Sequence, residues 1–590
     1  MNRSSDDSAV PSKNALTPFS HEAASTAVPR RHVLRVALGG FAAVGMTSFG
    51  LSACGGSDDA TPPDFAFGIA SGDPLADRVM LWTHAQFAGL SADVPMAWEV
   101  ASDAAFTTIT ASGNASATAA TGHTVKVDAK GLSAGKDYYF RFRWGQHSSP
   151  VGKTRTLPAA GAASLALAVL TCSNYPAGYF HAYAEAAKSD AKYAVHLGDF
   201  IYEYAADGYA SADAAKLGRL SQPATECLTL SDYRKRYAQY RSDPDSKNFH
   251  ATLPVIAVWD DHEVANDTFK DGAENHTEGA EGRFTDRRNA AVQAWHEWMP
   301  VRTPDASNLL KIYRSFDFGG LAAMHMLETR LIGRDKQITF TDLMNPATAS
   351  SAMTTLASPT RSMMGAEQLG WLQGQLAASK ATWQVLGQQV LMARMAFPVS
   401  VLTALNPDNT SADAVAAGQK AINDYLTAKA TAAQAPELLT DTQKALLNPA
   451  VNPLLGYNLD AWDGYPVERE IVLTTAKQLG KKLVVLAGDT HNAWASQLTL
   501  MDGSVVGHEF ATSSISSPGF EEYLPTLTPD QSKAIFLGVV NDLKYADTSR
   551  RGFMLMRFTP AQATATWHFV STVKSRSYAV DASATLSYSA

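Results

Sequence analysis

Residues 193–203 read Tyr-Ala-Val-His-Leu-Gly-Asp-Phe-Ile-Tyr-Glu. Tyr193–Leu197 is an apolar run of strand length, and Gly198-Asp199 follows it at once. The glycine permits a sharp turn, after which the aspartate projects at the strand end. A Gly-Asp pair alone is a common turn signal. Here Tyr202 stands one turn further on, where a phenol can reach the same point.

The same construction recurs outward from this stretch. Val255–Trp259 runs into Asp260-Asp261-His262-Glu263-Val264-Ala265-Asn266-Asp267. Adjacent carboxylates repel unless a cation neutralises them. A solvated loop is the alternative, and the apolar run that delivers these residues argues against it. Leu483–Leu486 runs into Ala487-Gly488-Asp489-Thr490-His491-Asn492. Asp489 and His491 lie two apart, so an extended backbone would aim an oxygen and an imidazole at one cation pair. Leu165–Leu170 runs into Thr171-Cys172-Ser173-Asn174, where Cys172 is either a buried inert thiol or a thiolate ligand. Ligands of open α/β sheets gather beyond the carboxyl ends of the strands. Carboxylates with imidazole, joined by thiolate and phenolate if Cys172 and Tyr202 take part, suit iron or manganese beside a hard divalent ion such as calcium. Two such cations clamp the attacking and leaving oxygens of phosphoester hydrolysis.

Around these runs apolar strands alternate with amphipathic segments, which is the pattern of a layered α/β domain. A further strand is expected at Leu321–Leu327, and helices at Phe180–Ala187, Leu230–Tyr240, Thr285–Trp298, Ala366–Ala378 and Glu470–Gln478. Residues 401–450 are rich in Ala and Thr and read as an inserted helical cap or loop. Before residue 158 the runs are short and β-like: Val79–Trp82, Met96–Val100 and Tyr138–Phe142. Alternation in the last puts Tyr138, Phe140 and Phe142 on one face. The stretch Leu132–Tyr138 resembles the tyrosine corner of immunoglobulin-like and fibronectin-like sandwiches. No catalytic constellation lies in this part, and His84 and His123 read as core or surface residues.

The 590 residues are 46% hydrophobic and 18% charged, as in a globular chain of two or more units. A net charge of −8 speaks against a nucleic-acid scaffold, and no basic stripe supports a nuclease. Cys54, Cys172 and Cys227 have no spacing of a disulfide framework or zinc site, and Cys227 suggests no role. Arg30-Arg31 precedes the apolar run Val36–Ala53, the form of a twin-arginine (Tat) export signal. Leu51-Ser52-Ala53-Cys54 resembles a lipobox, in which Cys54 is acylated. The expected organisation is a signal over 1–54, a linker over 55–63, a β-sandwich over 64–158 and a catalytic domain over 163–575. The expected product is a monomer, exported to the periplasm or cell surface and held to a bacterial membrane through Cys54.

The four clusters follow the order of the calcineurin-like metallophosphoesterase blocks and resemble the PhoD-like alkaline phosphatase and phosphodiesterase family. Cys172-Ser173-Asn174 replaces the usual Asp-x-His, Gly198-Asp199 stands at the bridging aspartate, and Asp260-Asp261-His262-Glu263 resembles Gly-Asn-His-Glu. Gly488-Asp489-Thr490-His491 resembles Gly-His-x-His. Phe67–Pro74, Met326–Arg330, Asp460–Pro466 and Ser514–Gly519 are also similar to the family. The resemblance implies a four-layer α/β sandwich, two mixed sheets flanked by helices, after a small β-sandwich. It implies iron(III) on Cys172, Asp199, Tyr202 and His491, and calcium near Asp199, Asp261, Asn266 and Asp489, in a site of two or three metals bridged by Asp199. Asp260 and Asp261 both stand as metal candidates. His262 would stabilise the transition state or protonate the leaving group, or else order its loop. Asn174 would hold phosphate. Arg330 would do the same or pair with Glu328, which occupies a position where an aspartate is expected. The implied activity is hydrolysis of small phosphate monoesters or diesters after export by the Tat machinery. Phospholipid or teichoic-type diesters are alternative substrates. A catalytically dead, lipid-anchored binding protein would have lost these clusters, and all four are present.

Overall fold

The computed structural model describes residues 61–406, 409–581 and 584–589. The twin arginine and Cys54 lie outside the described residues. Among the described residues no helix is long and apolar enough to cross a membrane.

Two mixed sheets organise the molecule. The first, ten-stranded, is centred on three parallel strands, Leu165–Leu170, Tyr193–His196 and Val255–Ala257, with His196 in register with Leu170 and Ala257. The second, seven-stranded, is centred on the parallel strands Ala322–Met326, Trp383–Gly387 and Leu483–Ala487. All three strands of the second set are buried along their whole length. Both faces of these central strands are covered, so they read as unbroken apolar runs rather than alternating ones.

One core joins Val169 and Val195 of the first sheet to Met324, Val385 and Val484 of the second, so the sheets stack face to face. The helices His181–Lys188, Leu230–Ser242 and Phe284–Trp298 contribute Tyr183, Tyr237 and Trp295 to that core. A second core packs Leu372 and Leu376 of helix Gly365–Ala378, and Val472 and Leu473 of helix Pro466–Gln478, against Leu483 and Val485. The expected four layers are therefore present. Pro466 at the first helical position, with its φ already helical, starts the last helix earlier than apolar spacing alone suggests. Within 401–450 lie the helices Ala412–Gln434 and Asp441–Leu447, and Ile422 and Tyr425 of the longer one enter the second core.

Near the N-terminus, Val94–Ala101, Ile109–Ala117 and Asp137–Trp144 belong to a five-stranded sheet. It packs on strands Ile69–Gly72, Arg78–His84 and Thr124–Lys130 through Val100, Phe140, Ile69 and Leu81. Tyr138, Phe140 and Phe142 are buried as the alternation predicts, and the Ser133 amide donates to the Tyr138 hydroxyl at 2.8 Å. The chain continues without a seam, because Gly72 pairs in register with Val255 and carries these strands into the ten-stranded sheet. Asp73 locks the join. It takes two hydrogen bonds from Arg314, at 2.9 and 2.7 Å, and one from the Arg302 amide at 2.7 Å.

A buried acid on the second sheet makes the first testable prediction. Glu509 accepts from the amides of Met392 and Ala393 at 2.6 and 2.9 Å. Burial pushes its carboxyl up to about 7. The folded chain thus holds this proton after the unfolded chain has released it. The contribution to stability is complete below the unfolded value of about 4.3 and is lost as pH rises through about 7. Urea unfolding at about pH 5 and pH 8 is expected to show wild-type stability falling on the order of 3 kcal/mol from this group, with a flatter profile in Glu509→Gln. Parallel profiles for the two proteins would contradict it.

Candidate metal centre

The loops that follow Leu170, His196, Ala257 and Ala487 meet at the carboxyl ends of the central strands. Their geometry is costly. Cys172, Asp199, Asp489 and His491 have φ of 58°, 55°, 63° and 63°, in the left-handed region. Each such non-glycine residue costs about 1–2 kcal/mol, and strain of this kind persists where the surroundings over-determine it. Gly198 lets two of the loops touch, since a Cβ there would lie 2.4 Å from the Asp260 Cβ.

The side chains converge in three sets whose ligand atoms lie within 4.8 Å of one another: Cys172 with Asp199 and His491, Asp199 with Asp261 and His262, and Asp260 with Asp261 and Asp489. Asp199 links the first two sets and Asp261 the last two. The extended backbone expected between Asp489 and His491 is not formed. Both residues are left-handed, so the two side chains fall into different sets instead of pointing together.

Around the first set, the Tyr202 hydroxyl donates to Asp199 Oδ2 at 3.1 Å and accepts from Ser517 Oγ at 2.6 Å. Cys172 Sγ stands 3.4 Å from the same Asp199 oxygen. His491 Nδ1 faces the Pro518 carbonyl at 2.8 Å, which assigns the ring proton to Nδ1 and turns Nε2 toward Tyr202 at 3.2 Å. Burial lowers His491 to about 3, which favours the neutral ring, the form able to ligate a metal. The Ser514–Gly519 stretch thereby acquires a purpose: it supports the ring and the phenol.

The sets carry more acid than the protein balances. Burial raises Asp199 and Asp489 well above the usual carboxylate range, and raises Asp260 to about 7. Burial also raises the Cys172 thiol and the Tyr202 phenol, with Asp199 adding to both. Asp199 Oδ1, Asp260 Oδ2 and Asp261 Oδ1 are buried without a hydrogen-bond partner. Orphaned carboxylate oxygens beside a thiol, a phenol and a neutral imidazole are the donor set that cations fit, and a bound cation reverses the pKa shifts of its ligands.

Arg330 is the internal counter-charge. Its guanidinium is fully buried and reaches Asp260 at 2.5 Å, Asp460 at 2.7 Å, Asp489 at 3.4 Å and Asp261 at 3.6 Å. Its partners are these carboxylates, and it does not pair with Glu328. Glu328 instead accepts from the amides of Arg330, Leu331 and Ile332 and from the Trp259 indole, ordering the turn that carries Arg330.

His262 lines a cavity of about 270 Å³ together with Asp199, Asp261, Asn266, Asp489 and His491. Its Nδ1 meets Glu203 Oε2 at 2.8 Å, and its ring stacks on Tyr202 with centroids 4.2 Å apart. Although burial works the other way, Asp261, Asp199 and Glu203 raise its pKa well above the ordinary histidine value. Asn174 is not among the side chains that line this cavity; its Oδ1 accepts from the Ala177 amide at 3.4 Å and its Nδ2 is buried without a partner.

Sequence reasoning passed over Glu203 and Glu263. Glu263 accepts from the amides of Asp199, Phe200 and Asp260 at 3.0, 2.5 and 2.7 Å, so one carboxylate sets the backbone of two ligand loops. Both lie inside the clusters quoted above, and a buried acid next to a ligand is the signal that could have marked them. Tyr204, Tyr209, Asp267 and Tyr523 also line the cavity. Tyr523 comes from a distant helix, and nothing local announces it. Cys227 is a buried free thiol, raised by burial to about 12, and packs in the first core.

Comparison with known proteins gives concordant matches. A profile described as PhoD-like phosphatase matches residues 167–567, and one for the N-terminal domain of PhoD-like phosphatase matches residues 51–158. Alkaline phosphatase D of Bacillus subtilis (strain 168) is 36% identical over 471 residues, covering 77% of this chain and 70% of that protein. A solved structure titled "Structure of PhoD" superposes with a TM-score of 0.71 at 31% identity, covering 90% of this chain and 91% of the other.

Proposed function

The chain belongs to the PhoD-like phosphatase family and is a metal-dependent phosphoesterase; from that premise we propose that it hydrolyses both monoesters and diesters of phosphate outside the cytoplasm. The observation that carries the reading is the trio of orphaned oxygens on Asp199, Asp260 and Asp261 beside Cys172, Tyr202 and His491. Iron(III) would be held by Cys172, Asp199, Tyr202 and His491, whose thiolate and phenolate suit a strongly acidic cation. Calcium ions would be held by Asp199, Asp260, Asp261, Asn266 and Asp489, an oxygen-only set. When bound, these cations supply charge for the phosphoryl oxygens and an activated oxygen nucleophile.

The chain's own residues do the rest. Glu203 holds His262 by Nδ1 and leaves Nε2 as the ring's other proton site. With cations on Asp199 and Asp261, Glu203 is the carboxylate that keeps the imidazole protonated. His262 can then hand a proton to the departing alkoxide or phenoxide. Glu263 keeps Asp199 and Asp260 at their separation through three amides. The twin arginine and the Cys54 lipobox support export by the Tat route and a lipid anchor, with the folded part acting as a monomer on small phosphoesters.

Metal analysis with an aryl phosphate and a bis-aryl phosphate tests this reading. The purified protein is expected to contain iron and calcium, to cleave both esters, to lose activity to a chelator and to recover it when the ions return. A visible tyrosinate-to-iron band is expected, absent in Tyr202→Phe, whose rate falls by about ten- to a hundredfold. A colourless protein with full activity would overturn the iron assignment, and cleavage of one ester class alone would overturn the dual specificity.

A further inference from the structure

A larger cavity of about 640 Å³ adjoins the metal cavity. Its volume is that of an ordinary small-molecule site. The two share Tyr523, which lines both. The Tyr523 hydroxyl donates to Tyr209 at 3.0 Å, and Tyr209 lies 3.4 Å from His491 Nδ1. Tyr457 lies on the wall of the larger cavity as well.

The chemistry of the two spaces is opposite. The metal cavity is walled by acids, histidines and phenols. The larger one is walled by Phe397 and Phe536, which are fully buried, by half-buried Leu402, and by Met344 and Phe340, which are 53% and 37% exposed at its rim. Leu402 belongs to the segment 401–450, so that insertion forms part of the wall. A phosphoester seated among Asp199, Asp261 and Asp489 must project its alcohol portion out of the metal cavity. On the Tyr523 side that portion meets an apolar chamber.

We propose that this chamber is a subsite for the alcohol portion of the substrate, and that the preferred phosphoesters carry an alkyl chain or aryl ring rather than a sugar or a short polar alcohol. The inference rests on the phosphoesterase reading above and deepens it. Each methylene taken from water into such a wall is worth up to about fourfold in kcat/KM.

Phosphate release from methyl, butyl and octyl phosphate by the full-length metal-loaded protein tests it. The octyl-to-methyl ratio of kcat/KM is expected to reach at least about thirtyfold in the wild type. Thr403→Trp fills the chamber from its exposed wall, and Met344→Asp puts a charge at its rim. In each the ratio is expected to fall below about threefold. A wild-type ratio near one, or a ratio unchanged in both variants, overturns the subsite while leaving the phosphoesterase reading intact. Failure to cleave any of the three esters overturns that reading and the subsite with it. Equal rates on all three, with the sedimentation coefficient altered in Thr403→Trp, would assign the chamber to a second copy of the chain and overturn the proposal.

Discussion

Asp199→Asn is expected to yield a folded protein that retains neither metal complement nor activity. Asp199 is shared by two of the three ligand sets. Its Oδ2 faces Cys172 and Tyr202, while its Oδ1 is buried and unpartnered. Asparagine keeps the shape but removes the charge, and it puts an N–H₂ donor where a cation requires an oxygen. Hydrolysis of an aryl phosphate is expected to fall by at least about a thousandfold, which is roughly 4 kcal/mol of transition-state stabilisation. Elemental analysis should show loss from both kinds of site, because the bridging ligand serves both. Stability should move in the opposite direction. Burial raises the Asp199 carboxyl far above its usual range, so metal-free Asp199→Asn is expected to unfold at higher urea than the metal-free wild type at neutral pH. Full occupancy with an unchanged rate would remove Asp199 from the bridging position.

Arg330→Met is the complementary experiment. Methionine matches much of the arginine stem, and the substitution deletes the one cation that four carboxylates share, three of them buried. Removing one partner of a buried ion pair costs about 3–5 kcal/mol, because the remaining charges stay desolvated. The metal-free variant is expected to lose stability on that scale in urea titrations, and to recover part of it when cations are added, since bound cations take over the neutralisation. Arg330→Lys is expected to recover little, because an ammonium is a point charge and cannot reproduce the fork that reaches Asp260 and Asp460 together. A metal-free Arg330→Met as stable as the wild type would mean that the carboxylates are held neutral by protons and need no counter-charge. The two substitutions separate the roles. Asp199 is expected to be needed for the metals, and Arg330 for the scaffold that keeps the acids together before the metals arrive.

The strands were legible because the central ones are covered on both faces and read as apolar runs. The polar residues directly after them were legible because charge following a buried strand has few structural uses. Arg330 was harder to place. Its neighbour Glu328 suggested a local pair, yet Asp260 lies 70 residues and Asp460 130 residues away, and those are the partners it takes. Glu263 looked like one more charge in a run, whereas it serves the backbone of Asp199, 64 residues earlier. The separation of Asp489 from His491 was misjudged because alternation holds for extended backbone, and both residues have positive φ.

By itself the amino-acid sequence determined the layers, the order of the strands that carry the polar clusters, and Asp199, Asp261, Asp489 and His491 as residues to bring together, since periodicity and residue chemistry are local properties, whereas Cys172 and Tyr202 joined them through the resemblance to the family. Tertiary structure alone decided which of them cluster, which arginine balances them, and that an apolar chamber lies beside Tyr523. Those outcomes depend on distances between loops that are remote along the chain, and such distances are set by how the two sheets stack and where strained turns point their side chains.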